Sequence, residues 1–345
     1  MNIGIVATAS YIPDLRLPLT VWSALASNAH PLPPDNHEAL MQSVYADTIR
    51  WRKTSTAAAL ADAQDLSGLP DEGDIYTVAV EEKLMLSDMA LHVVRTLLVA
   101  ADRPGANAIG QIIVCQSSFE HDLTLSCASR LHGEVGQGKV PFAIGQLQGT
   151  SFLMALKLAA ALTSGEAQPL TVLIVAAERW REPFARTVGT LTALGDGAAA
   201  ALVQAGAQTG WIVLGVTVRT PADSQPADHP LAWIDTDALV SVVHETCDLA
   251  GVSPAAIDWV LPAHLNRALA RDISVLCGMS SARTVLDDMS GTGYLCSADT
   301  PARLDRLLHA VKPHLGQYIL VWSAGFQGQS ACALLKFCGG EHVRA

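Results

Sequence analysis

The chain has 345 residues, half of them hydrophobic and 16% charged, and its 22 Lys+Arg against 33 Asp+Glu leave a net charge of −11. There is enough apolar material for a large core, in one big domain or two halves, while the acidic balance argues against nucleic acid or an anionic membrane as partner. No run approaches the roughly 20 apolar residues of a membrane span, and the start Met-Asn-Ile-Gly-Ile-Val-Ala lacks the basic n-region of a signal peptide, so a cytoplasmic protein is expected.

In chain order, strand-like apolar runs alternate with helical ones, the pattern of a buried α/β sheet. Residues 24–80 are rich in Pro, Asp and Ala and read as an insertion, helical over Glu38–Arg52, of a kind that caps a pocket or builds an interface. A helix starting at Asp88 leads through a Pro/Gly turn and Ile109 to the strand Ile112–Cys115. Next, Phe142-Ala-Ile-Gly-Gln-Leu-Gln-Gly-Thr-Ser-Phe152 runs from a strand end through a tight polar turn into a helix over 151–163. That helix carries one charge, Lys157, and is apolar on nearly all sides, so it is expected at the centre with its N-terminus opening into the interior.

The second half repeats the first. A helix from Asp237, the turn Gly-Val-Ser-Pro, Ile257 and the strand Trp259–Pro262 restate the earlier unit, and Ile257 stands 148 positions after Ile109. Ile319-Leu-Val-Trp-Ser-Ala restates Val172-Leu-Ile-Val-Ala-Ala at an offset of 147. Two matched units at one offset imply two similar halves meeting near Ala205–Gly210. The division is 1–208 (with 24–80 inserted), 209–340, and a tail over 341–345.

The seven cysteines, Cys115, Cys127, Cys247, Cys277, Cys296, Cys332 and Cys338, are scattered and lack CxxC spacing, as expected of buried thiols in a reducing compartment. With no HExxH or Cys/His cluster, neither a metal site nor a cofactor is expected.

A duplicated chain with a buried helix after a nucleophile-type turn resembles the thiolase superfamily, and more narrowly β-ketoacyl-ACP synthase III. The resemblance covers most of the chain outside 24–80. Gly4-Ile-Val-Ala-Thr-Ala-Ser-Tyr-Ile-Pro13 is similar to that family's opening strand and Leu194-Gly-Asp-Gly-Ala198 to its Gly-Asp-Gly-Ala turn. Ile257-Asp-Trp-Val-Leu-Pro262 resembles the strand before its catalytic histidine, and Gly325-Phe-Gln-Gly328 its C-terminal glycine loop. The resemblance implies a five-layer αβαβα fold and a dimer formed through the strand near Cys115. It also implies acyl-CoA or acyl-carrier-protein thioesters as substrates.

The family's Cys-His-Asn triad is missing from this sequence. The cysteine position falls on Gln148 counted forward from Phe142, or on Gly149 aligned on Ala155-Leu156. Without a gap, Pro262-Ala-His-Leu-Asn266 puts Ala263 at the histidine position and keeps Asn266, with His264 on the opposite face if the segment is extended. A one-residue shift restores His264 and displaces Asn266. Gly293-Tyr-Leu-Cys296 puts Tyr294 at the family's asparagine. Thr150 and Ser151 are expected to cap the helix, and Cys296 is a candidate displaced thiol.

Backbone N–H groups of the Gly325–Gly328 loop, with Phe326, are candidates to bind an oxyanion. Arg50-Trp-Arg-Lys53, and Arg179-Trp-Arg181 with Arg186, are the candidate basic patches for an acidic carrier protein. Two functions follow from the resemblance. One is a non-catalytic, ketosynthase III-like subunit paired with an active homologue in fatty-acid, polyketide or specialised-metabolite biosynthesis. The other is an acyltransferase or malonyl-thioester decarboxylase using Gln148 and His264.

Overall fold

The computed structural model describes residues 3–18, 77–101, 109–120, 122, 124–135, 138–164, 170–181, 186–188, 191–220, 234–265, 267–280, 283–286, 291–340 and 343–344. The helix expected over Glu38–Arg52, the basic run Arg50–Lys53 and Asn266 lie outside them.

The first half contains β1 (Ile3–Tyr11), the short pair β2 (Arg16–Pro18) and β3 (Thr77–Ala79), α1 (Leu86–Ala100), β4 (Gln111–Gln116), α2 (Cys127–Val135), β5 (Phe142–Gly145), α3 (Ser151–Thr163), β6 (Thr171–Glu178), the small pair β7 (Thr187–Val188) and β8 (Thr192–Ala193), and β9 (Gly197–Ala205). The second half contains β10 (Trp211–Arg219), α4 (Thr236–Ala250), β11 (Trp259–Leu261), α5 (Arg267–Leu276), α6 (Asp299–Ala310), β12 (Tyr318–Ala324) and β13 (Ser330–Phe337). In the tail, β14 (Val343–Arg344) pairs in parallel with Ala7–Thr8 of β1. Thr77–Ala79, near the end of the expected insertion, pair with Arg16–Pro18.

The ladder runs β11-β12-β13-β10-β1-β9-β6-β4-β5, and the repeat is visible in it. Outward from β1, the neighbours are antiparallel β9, antiparallel β6, parallel β4 and parallel β5. Outward from β10 they are antiparallel β13, antiparallel β12, parallel β11 and a parallel bridge from Val260 to Thr284. Even the register breaks correspond: β1 is irregular between Ile5 and Ala7, β10 between Val213 and Gly215. The halves join where β1 and β10 pair, Ile3 opposite Val213.

Side-chain alternation along the strands sorts the core into layers. Ile113 and Cys115 of β4, Ile174 and Ala176 of β6, and Val321 and Leu335 of the second half all face one inner cluster with Phe152, Leu153 and Leu156 of α3 and Leu304 and Leu308 of α6. Ile112, Val114, Leu173 and Val175 face outward onto α1 and α2. Leu320, Trp322 and Leu334 face outward onto α4 and α5. The result is a helix–sheet–helix–sheet–helix stack with α3 and α6 in the middle. Each buried Phe or Leu there contributes about 1.5–3 kcal/mol of apolar transfer energy, which is why α3 needs no polar face.

The Gly-Asp-Gly-Ala turn is pinned by charge. Arg186 meets Asp196 in a fully buried bidentate pair, 2.8 Å at each oxygen, and Asp196 also accepts the N–H groups of Glu81 and Trp180 at 2.8 Å.

Candidate functional site

The turn before α3 is a 3-10 turn, Gln148–Thr150, opened by Gln148 at φ 53°. Left-handed backbone is uncommon outside glycine, and here it aims the Gln148 side chain away from its own helix. The carboxamide Oε1 accepts a hydrogen bond from the backbone N–H of Phe326 in the glycine loop between β12 and β13. A Cβ built on Gly325 would lie 2.5 Å from Gln329 Oε1 and 3.2 Å from Gln148 Oε1, so a side chain at that position would displace the Gln329 carboxamide.

Tyr294 closes the same space from a third segment. Its backbone bridges Leu194, with its N–H on the Ala193 carbonyl at 2.7 Å and its carbonyl taking the Gly195 N–H at 3.0 Å. The fully buried ring sends its hydroxyl toward the Ala324 carbonyl at 3.4 Å and stacks edge-on against Phe326, centroids 5.8 Å apart. Burial pushes the phenol well above its ordinary range. A Cβ built on Gly149 would lie 1.8 Å from that hydroxyl oxygen and 2.6 Å from Ser323 Oγ. The space over Gly149 is therefore filled by Tyr294 and Ser323.

The structure therefore brings Gln148, Gly149, Tyr294, Gly325 and Phe326 together, with Ser323 as a member that sequence reasoning missed. Other candidates are placed differently. His264 and Leu265 form a turn rather than an extended segment, so strand alternation does not set the direction of His264. Its backbone N–H is held at 2.9 Å by Asp299 Oδ2, from the first turn of α6. Ala263 is buried in the outer cluster with Val260 and Leu265.

The capping expected of Thr150 and Ser151 is absent. Thr150 Oγ1 donates back to the Leu147 carbonyl at 2.7 Å, and α3 begins without a side-chain cap because the preceding 3-10 turn already engages this backbone. Ser151 Oγ is buried without a hydrogen-bond partner.

Cys296 is fully buried, with φ 51°. Burial, and then the negative Glu178, raise its thiol well above the ordinary range. A thiolate is disfavoured there.

Glu178, at the end of β6, was not singled out in the sequence. Its Oε1 accepts the Ser117 N–H at 2.9 Å and the Ser297 N–H at 3.2 Å; Oε2 accepts the Ser118 N–H at 2.7 Å and Ser118 Oγ at 2.6 Å. Full burial raises its carboxyl above the usual carboxylate range, partly offset by these bonds. A lone acid ending the apolar run Val172–Glu178 was the available signal.

Of the described candidate carrier-docking cations, Arg181 is exposed and the other two are buried. Arg186 is consumed by Asp196, and Arg179 is buried with its guanidinium on the Glu81 and Glu82 carbonyls at 3.1 Å. Both lie inside because their partners, a turn carboxylate and two backbone carbonyls, are inside. Among the described residues no group of three or more His, Cys, Asp or Glu is arranged to hold a metal ion, and no helix is long and apolar enough to cross a membrane.

Residues 146–222 match the sequence model of 3-oxoacyl-[acyl-carrier-protein] synthase III, and residues 247–337 match that of its C-terminal domain. Over these stretches the chain is 3-oxoacyl-ACP synthase III-like. The two matched stretches contain every member of the candidate site, from Gln148 to Phe326.

Solved structures agree on the fold of this synthase III-like chain. The synthase III of Pseudomonas aeruginosa PAO1 superposes with a TM-score of 0.70 at 15% identity, over 98% of both chains. That of Thermus thermophilus gives 0.68 at 20% identity, over 98% of this chain and 100% of its own. ChlB3, described as an acyltransferase, gives 0.70 at 17% identity over 98% of both chains.

Proposed function

We propose that this synthase III-like chain is a non-catalytic partner subunit: it pairs with an active homologue in fatty-acid, polyketide-type or specialised-metabolite biosynthesis, and stabilises that homologue and its acyl pocket. One observation carries the reading. The Tyr294 hydroxyl fills the space above Gly149, while the Phe326 N–H, the candidate oxyanion donor of the glycine loop, is satisfied internally by Gln148. Acyl transfer needs a nucleophile and free oxyanion donors, and neither is offered there. The retained core, turns and glycine loop suit a scaffold that presents a surface to a partner, as a homodimer or a heterodimer.

The second reading, an acyltransferase or malonyl-thioester decarboxylase using Gln148 and His264, draws support from the likeness to the acyltransferase ChlB3. It requires the Gln148 amide to leave Phe326 and face a substrate.

The test is acylation. The protein alone, incubated with radiolabelled acyl-CoA, is expected to take up no label. A stable acyl adduct on Ser151, Thr150 or Cys296 in a mass spectrum would sink the proposal. Co-expression with a synthase III-like chain whose Cys, His and Asn are intact, followed by size-exclusion chromatography, is expected to give a mixed dimer; separate elution of the two chains counts against it.

A further inference from the structure

The duplication extends into the site. The 3-10 turn Gln148–Thr150 and α3 from Ser151 are matched, 148 positions later, by the 3-10 turn Cys296–Ala298 and α6 from Asp299. Gln148 and Cys296 open these turns at φ 53° and 51° and, with Gln146, are the non-glycine residues of positive φ among those described.

Each turn then reaches into the opposite half. In the second half, Cys296 opens the turn that meets β4 and β6 of the first. Its neighbour Ser297 gives its N–H to Glu178 and its hydroxyl to the Cys115 carbonyl at 3.1 Å. In the first half, Gln148 takes the Phe326 N–H of the second. The receiving positions are repeat mates too: Glu178 ends β6, and Gly325–Phe326 follow the end of β12, the strand that matches β6.

We infer that Gln148 is a structural latch, holding the β12–β13 loop of the second half to the α3 turn of the first, as the Cys296–Ser297 turn holds the ends of β4 and β6 from the other side. The side-chain chemistry suits the task. The Phe326 N–H faces a partly buried space and needs an acceptor. A glutamine carboxamide carries its carbonyl oxygen four bonds from Cα, and from the turn before α3 it supplies that acceptor. Tyr294 seats the same loop through Ala324 and Phe326. The latch rests on this geometry and not on whether the chain acts on thioesters.

Hydrogen exchange tests it at one atom. The Phe326 amide of the wild type is expected to be strongly protected. Q148L, similar in size but without an acceptor, is expected to lower that protection at least tenfold and the thermal midpoint by about 2–6 °C, while β1 and β9 amides keep theirs. Q148E, which retains an acceptor, is expected to recover most of the protection. An unprotected Phe326 amide in the wild type overturns the latch, even if Q148L fails to fold; so does a Q148L protein with unchanged protection and midpoint. Acylation of the wild type would sink the non-catalytic role, whereas the latch is judged only from protection and midpoint.

Discussion

A methyl group built on Gly149 would sit 1.8 Å from the Tyr294 hydroxyl, 2.6 Å from Ser323 Oγ and 3.0 Å from the Ala324 carbonyl oxygen. G149A is therefore expected to destabilise the protein by about 1–3 kcal/mol through overpacking, measured by urea unfolding. Y294F, which removes the nearest oxygen, is expected to restore part of that loss in the double variant; simple additivity of the two changes would show that the ring does not occupy this space. Beside it, Gln148 holds a left-handed backbone that costs an ordinary L-residue about 1–2 kcal/mol, so its hydrogen bond to Phe326 has strain to offset. The identity of Gln148, Gly149 and Tyr294 was readable along the chain. Their convergence was not, because Gln148 and Phe326 are 178 residues apart and no local pattern encodes which distant N–H an amide will meet.

Among the elements, the strand ends matter most for chemistry. Glu178 terminates β6 where four donors from Ser117, Ser118 and Ser297 converge on its two oxygens. E178Q puts an NH2 group against one pair of these donors and is expected to cost about 1–3 kcal/mol near neutral pH. The pH dependence has a definite sign. Burial raises the folded carboxyl above its unfolded value of 4.5, so the folded state binds the proton more tightly. This group's contribution is then full below pH 4.5 and declines as pH rises through the raised folded value. Unfolding free energy measured from pH 4 to 8 should fall more steeply in the wild type than in E178Q; parallel profiles would contradict the assignment. At this scale the sequence was largely legible. The strands near 112–115, 172–177, 259–262 and 319–324 and the helices from 88, 151 and 237 all form within a few residues of where periodicity put them, since burial on one or both faces leaves a pattern in the nearest neighbours. Surface placement of Arg179 and Arg186 failed for the converse reason: a cation's partner, not its type, decides whether it is buried.

Over the whole molecule, the inner layer belongs to neither half alone. Residues of β1, β4, β6, β10, β12 and β13 share one cluster with α3 and α6, so the two repeats are expected to unfold together. Tryptophan fluorescence and far-ultraviolet circular dichroism should give coincident urea transitions, and residues 209–340 expressed alone should lack a cooperative transition; two separated transitions in the intact chain would refute this. The sequence by itself determined the duplication, the layered α/β class and the absence of a cysteine before the central helix, because repeats, hydrophobic period and residue identity are properties of short stretches. Only the tertiary structure decided what surrounds the turn before that helix: a tyrosine hydroxyl fills the space over Gly149 and the Gln148 amide accepts a bond across the halves. Those outcomes depend on distances between segments more than a hundred residues apart, which exist only once the two halves of the sheet have closed around α3 and α6.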